Sequence, residues 1–215
     1  MTATYGILGW PVEHSRSPAM HMAAFRARGL DATYAHFPVH PDDIADAIRG
    51  LKALGLRGAN VTVPHKESVI AHLDVVTPEA RAIGAVNTIV RDVDRLIGHN
   101  TDAPGLARSL DDAGVEMAGA RVLVLGAGGA SRASVVGLAG RGASRIAVAA
   151  RRLEQAESLV RDLQAACGRT VLEATELSRE ALAEELRETT LLVQSTSATL
   201  ASSPDAAGFA AALAI

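Results

Sequence analysis

The chain has 215 residues, 48% hydrophobic and 21% charged, which is ordinary globular composition and enough for one large or two small domains. The formal net charge is −3 with no basic block, which argues against nucleic acid as a main partner. No run reaches the ~18 apolar residues of a membrane span. The N-terminus, Met1 to Gly6, lacks the charged and apolar regions of a secretory signal. Aromatic residues make up 3%, so the core is expected to be aliphatic and alanine-rich. Cys167 is the only cysteine, so no intramolecular disulfide can form, and we expect a cytoplasmic protein.

Tyr5 to Leu8 reads as a short strand, broken at Gly9-Trp10-Pro11. His14-Ser15-Arg16-Ser17-Pro18 then precedes an amphipathic run over 19–28. Ser17 can be a helix N-cap with Pro18 at the first helical position. The other reading is that Ser15 and Ser17 set two hydroxyls beside a helix N-terminus, a place suited to a carboxylate. Residues 32–37 give a second strand, 42–54 a helix, and 56–63 a third strand. This alternation predicts a mostly parallel sheet. His36 and His40 are separated by Pro38, so they cannot share a helix face, and no metal site is expected.

Pro64-His65-Lys66-Glu67 is expected to open the next helix directly. Lys66 would then lie in the first turn, where the helix dipole disfavours a cation. It is either a solvated lysine or one poised to exchange a proton. A short helix follows Thr77, and Asn87 is expected inside a strand over 85–90. A turn near Asp94 leads to a strand over 96–98. Asn100-Thr101-Asp102-Ala103-Pro104-Gly105 precedes a helix over 106–113, and Asp102 is either its cap or a reacting group.

Residues 114–120, rich in glycine, read as a linker. Beyond it, Val122 to Leu125 is too short for a helix and reads as a buried strand. The turn Gly126-Ala127-Gly128-Gly129-Ala130-Ser131 follows without a spacer, and then a helix over about 130–140. Strand, glycine turn and helix open a dinucleotide-binding unit, because a pyrophosphate must approach the backbone closely at the helix N-terminus. A tight turn with no ligand is the competing reading. Strands at 146–149, 169–173 and 191–193 alternate with helices at 153–166 and 178–188. The tail from 201 carries no clear signal. The second strand of this half ends in Ala150-Arg151-Arg152 instead of the acid that bonds a ribose 2′-hydroxyl. Two guanidinium groups suit a 2′-phosphate, which favours NADP(H) over NAD; two exposed arginines with no ligand are the alternative.

With these residues in place the sequence resembles the shikimate dehydrogenase family over about residues 5 to 197. Gly9 to Pro18 resembles its substrate loop, and Asn60-Val61-Thr62-Val63-Pro64-His65-Lys66 its catalytic lysine motif. Gly84-Ala85-Val86-Asn87-Thr88 and Asn100 to Gly105 match its next two blocks, and Gly126 to Ala130 its nucleotide loop. The resemblance implies reversible reduction of 3-dehydroshikimate to shikimate with NADPH. It implies that Ser15 and Ser17 hold the substrate carboxylate, and that Thr62, Asn87 and Asp102 bond ring hydroxyls. Lys66 would be the general acid/base, with Asp102 as its partner. Gly126, Ala127, Gly128, Gly129, Ala130, Arg151, Arg152, Ser195 and Thr196 would hold NADP(H). The implied architecture is α/β: a substrate domain over 1–113, the linker 114–120, and a Rossmann-like NADP-binding domain over 121–215. The two would face each other across a cleft. A monomer or homodimer is expected.

The sequence departs from the family pattern at Met22, Ala150, Arg152, Gln155, Gln194 and Thr199. Family members also continue further, so the nucleotide domain looks incomplete and the sequence truncated at its C-terminus. A quinate/shikimate dehydrogenase with relaxed cofactor choice, or a protein that binds ligand without turnover, are the alternatives.

Overall fold

The computed structural model describes residues 2–196, which fall into two compact units, 1–101 and 102–215. Thr199 and the tail beyond 201 lie outside the described residues.

The first unit is built on a six-stranded mixed sheet. Its elements are β1 (Ala3–Gly9), α1 (Ser17–Ala27), β2 (Ala32–Pro38), α2 (Ile44–Ala53), β3 (Gly58–Val61), β4 (Val75–Val76), α3 (Pro78–Ile83), β5 (Thr88–Asp92) and β6 (Arg95–His99). The strand order is β2-β1-β3-β5-β6-β4. β1 pairs in parallel with β2 and β3, and β4 with β6, whereas β5 runs antiparallel to both its neighbours. Successive side chains point to opposite faces of a strand. Leu8, Ala59 and Val61 therefore join Ile48 and Leu51 of α2 and Ala80 of α3 in one core. Ile7 turns the other way, to Tyr34 and to Met22 and Phe25 of α1. Gly58 permits the close approach of β5, since a Cβ there would sit 2.5 Å from the Ile89 carbonyl oxygen.

Three local expectations are corrected in this unit. Ser17 is not the N-cap of α1: Arg16 holds that position without a side-chain cap, and Ser17 is the first helical residue. The Ser15 hydroxyl has taken the capping role and accepts from the Ser17 N–H at 3.3 Å. Lys66 is not in the first turn of an α-helix, because residues 63–67 form turns that lead to a 3-10 helix over Ser68–His72. The turn is fixed by His65, whose buried ring bonds the Val39 carbonyl at 2.8 Å. Asn87 precedes β5 instead of lying within it. Its backbone still accepts from the Val61 N–H at 2.8 Å and donates to the His99 carbonyl at 3.1 Å, while its side chain accepts from the Thr101 N–H.

The second unit contains α4 (Asp102–Asp112), β7 (Arg121–Leu125), α5 (Gly129–Gly140), β8 (Arg145–Ala150), α6 (Leu153–Leu163), β9 (Val171–Glu176), α7 (Arg179–Leu186) and β10 (Leu191–Gln194). Among the described residues its sheet has four strands, all parallel, in the order β10-β7-β8-β9. The two central strands, β7 and β8, are covered on both faces, which is why they read as continuous apolar runs, whereas β9 and β10 at the edges are partly exposed. Val122, Val124, Ile146 and Val148 pack toward α5 and α6. Leu123, Leu125, Ala147 and Ala149 pack toward Leu182 of α7. Cys167 is buried in the first of these cores, and burial pushes its thiol up to about 11.

The division between the units falls before α4, and not at the linker read from the sequence. Gly137 of α5 lets α4 approach closely: a Cβ there would lie 3.0 Å from the Ala103 carbonyl oxygen. Leu106 and Leu110 of α4 pack on the core of the second unit. Residues 114–120 are tied in as well. Met117 is buried, Gly119 donates to the Gly142 carbonyl, and Ser144 donates to the Ala120 carbonyl. The glycines at 114 and 119 serve turns with positive φ.

Candidate active site

In the first unit the chemistry-bearing residues gather at one end of the sheet. Leu8 is level with Val61, Asn60 with Thr88, and Thr88 with His99. The C-terminal ends of β1, β3 and β6 and the N-terminal end of β5 therefore share that end. The loop carrying Ser15 and Ser17 leaves β1 there, Thr62 and Lys66 follow β3, and Asn87 leads into β5. Gly9 brings the first two segments together, since a Cβ there would be 2.5 Å from Thr62 Cγ2. The Trp10 N–H donates to the Val63 carbonyl at 3.0 Å.

Within this cluster Ser15 Oγ donates to Ser17 Oγ at 3.1 Å, so the two hydroxyls stand side by side. His36 Nε2 bonds the Ser15 carbonyl at 2.9 Å and holds the loop. Lys66 is half-buried, and its carbonyl accepts from the Val86 N–H at 2.7 Å, which ties the lysine turn to the segment carrying Asn87. Asn87 is buried. Its Nδ2 donates to Thr101 Oγ1 at 2.8 Å, and its Oδ1 accepts from the Thr101 N–H at 2.9 Å and from Thr88 Oγ1 at 3.0 Å. Asp102, the next residue after Thr101, opens α4 in the second unit.

Sequence reasoning did not single out Tyr34, Thr88 or Thr101, and gave Asn60 no role of its own. All four belong to the Asn87 network. The available signal was Asn60, a residue type depleted from strands, in the middle of an apolar one.

In the second unit the strand order read from β9 runs β9-β8-β7 and then jumps to β10. The direction of winding reverses beside β7, and ligands of parallel sheets sit outside the strand ends at such a point. Gly126 follows β7 with φ of 112°, a conformation that L side chains rarely adopt. A Cβ there would lie 3.1 Å from Ser131 Oγ, 3.1 Å from Thr196 Cγ2 and 3.2 Å from the Ser195 carbonyl carbon. The glycine turn and the Ser195-Thr196 segment after β10 are thus in contact. Gln194 shapes that segment: its Oε1 accepts from the Thr196 N–H at 2.6 Å and its Nε2 donates to Thr196 Oγ1 at 2.8 Å.

Gly128 caps α5 and would carry a Cβ into open space. That space lies over the helix N-terminus, where Gly129 and Ala130 begin the first turn and unpaired N–H groups favour an anion. Ala127 packs on the core below. Arg151 and Arg152 follow β8 at the same end of the sheet, both exposed, with Arg152 at the N-cap of α6. A crowded glycine turn, an open helix N-terminus and two guanidinium groups fit a dinucleotide with an extra phosphate. Among the described residues, no group of three or more His, Cys, Asp or Glu could hold a metal ion, and no helix is long and apolar enough to cross a membrane.

Such a parallel unit, with a glycine turn at its switch point, defines the protein as one of the dinucleotide-binding α/β class. The profile of the shikimate dehydrogenase substrate binding domain matches residues 7–89, and that of shikimate / quinate 5-dehydrogenase matches residues 106–203. The chain belongs to the shikimate dehydrogenase family.

Shikimate dehydrogenase (NADP(+)) of Geobacter metallireducens is 49% identical over 197 residues, which cover 91% of this chain and 69% of that protein. The enzyme of the same name from Symbiobacterium thermophilum is also 49% identical, over 89% of this chain and 65% of its own length. The chain thus spans about two thirds of these relatives. Shikimate 5-dehydrogenase of Thermus thermophilus, solved in complex with NADP(H) and shikimate, superposes with a TM-score of 0.75 at 38% identity. That match covers 91% of this chain and 69% of the other.

Proposed function

We propose that this protein catalyses the reversible reduction of 3-dehydroshikimate to shikimate with NADPH, as a cytoplasmic enzyme, monomeric or homodimeric. Substrate binding is assigned to the N-terminal part and NADP(H) binding to the part from β7 onward. The observation that carries this reading is the gathering of Ser15, Ser17, Thr62, Lys66 and Asn87 at one end of one sheet. No packing requirement brings two adjacent hydroxyls, a lysine and a buried amide to the same place.

The chemistry follows from the groups. The linked hydroxyls of Ser15 and Ser17 donate to the substrate carboxylate, while Thr62 and Asn87 orient the ring through its hydroxyls. When bound, NADPH supplies the hydride. As the carbonyl carbon is reduced, charge develops on its oxygen, and the Lys66 ammonium delivers a proton there. In the oxidative direction the Lys66 amine takes that proton back. Asp102 is the second acid–base group and bonds a further hydroxyl. Gly126, Ala127, Gly128, Gly129 and Ala130 would hold the pyrophosphate, Ser195 and Thr196 would border the nicotinamide end, and Arg151 and Arg152 would pair with the 2′-phosphate.

The test is NADPH formation followed by absorbance with shikimate and NADP as substrates. Turnover is expected. Turnover only with quinate and NAD, or none with any pair, overturns the reading. In the same assay, replacing Arg151 and Arg152 by alanine should raise KM for NADP about 10–100-fold, the worth of hydrogen bonds to a charged phosphate. KM for NAD should change little. An unchanged preference would remove both arginines from the 2′-phosphate site.

A further inference from the structure

We propose that Tyr34 is a positioning residue for substrate binding: its hydroxyl completes the hydrogen bonds of the Asn60 amide, which in turn braces the Asn87 carbonyl and, through Thr88, the Asn87 side chain. The inference rests on the reading that Asn87 meets a ring hydroxyl of the substrate.

The relay runs across three strands of the first unit. Tyr34 lies on β2 and is buried, and its hydroxyl donates to Asn60 Oδ1 at 2.6 Å. Asn60 Nδ2 donates in turn to the Asn87 carbonyl at 3.3 Å and to Thr88 Oγ1 at 3.1 Å. The Thr88 hydroxyl in turn donates to Asn87 Oδ1, 3.0 Å away. Thr101 completes the pattern: its N–H also donates to Oδ1, and its hydroxyl oxygen accepts from Nδ2.

An amide has two orientations of nearly equal shape, and its partners alone choose between them. The Asn87 carbonyl can only accept, so it requires the amine of Asn60 to face it. The Asn60 oxygen then faces Tyr34, and the phenol must be the donor. Burial raises the phenol pKa, so the proton it donates is retained throughout the working pH range. The ring itself is held by a stack against His21, with centroids 4.3 Å apart and planes 9° from parallel. His21 belongs to α1, the helix whose first residue is Ser17. Tyr34 therefore joins the helix next to the serine pair to the amide network, and only its hydroxyl is required for the second link.

Tyr34→Phe keeps the ring, its burial and the His21 stack, and removes that hydroxyl. Asn60 Oδ1 then loses its donor inside the unit. Titration calorimetry of the variant with shikimate is expected to show affinity weakened about tenfold, while NADP affinity is unchanged. In turnover the change should fall on KM for shikimate, with kcat within about twofold. In an Asn87→Ala background the same change should add less than about twofold, because the side-chain amide that meets the substrate is already gone. Thr88→Val breaks the relay at another point and should give the same loss and the same non-additivity, so the test stands even if Tyr34→Phe fails to fold.

Shikimate affinity unaffected by Tyr34→Phe, or effects of Tyr34→Phe and Asn87→Ala that multiply independently, would overturn this inference alone. No shikimate binding by the unmodified protein would overturn the parent reading, and this one with it.

Discussion

Lys66→Ala is expected to lower kcat about 10²–10⁴-fold, the usual worth of a positioned proton donor. NADP affinity should stay within about twofold, since the lysine belongs to the first unit and the nucleotide loop to the second. The effect should be on the chemical step because the lysine meets charge that exists only as the carbonyl oxygen becomes an alkoxide. Stability should change little. The lysine is half-buried, and the turn that carries it is held by backbone and by His65. Steady-state kinetics with shikimate, together with calorimetric titration of NADP, decide the matter. A near-normal kcat would remove Lys66 from the acid–base role.

Gly126→Ala should damage the other half of the reaction. A side chain at φ of 112° is strained by about 1–3 kcal/mol whatever the space around it. The space is also short. The new methyl would meet Ser131 Oγ and Thr196 Cγ2 at 3.1 Å, and Ser131 is fully buried inside the first turn of α5. Yielding there moves the helix N-terminus or the Ser195-Thr196 segment. Both a lower Tm and at least about tenfold weaker NADP binding are expected, with shikimate affinity retained. Gly128→Ala separates the two contributions. Its φ of −97° is open to any residue, and its Cβ meets nothing within 4 Å. That variant should keep its Tm and lose only NADP affinity. If Gly126→Ala keeps both properties, the glycine turn does not bear the nucleotide.

The second unit was the more legible of the two from sequence. Its central strands β7 and β8 are buried on both faces, so they appear as uninterrupted apolar runs, and each observed strand lies within a few residues of its expected place. The first unit was harder to read because its site residues sit where regular structure stops. A proline after a strand suggested a helix through Lys66. The backbone instead turns so that His65 can reach the Val39 carbonyl, a long-range bond with no local signature. Asn87 keeps backbone bonds to both neighbouring strands, but its amide reaches Thr101, fourteen positions away, which no local pattern announced. Ser17 carried the composition of a cap, but Ser15 took that bond. The glycines at 114 and 119 have the same composition as a linker, and only the burial of Met117 shows that they are turns inside a folded unit. The site residues came instead from motifs whose spacing matches a family, with no help from local propensity.

The lone thiol offers a use apart from catalysis. Cys167 is shielded and holds its proton near neutral pH, so an alkylating reagent will modify it only during excursions that bare the core of its unit. Labelling speed relative to an unstructured peptide then gauges how often that half breathes open, and the protein comes with its own reporter for comparing nucleotide-loaded and ligand-free samples.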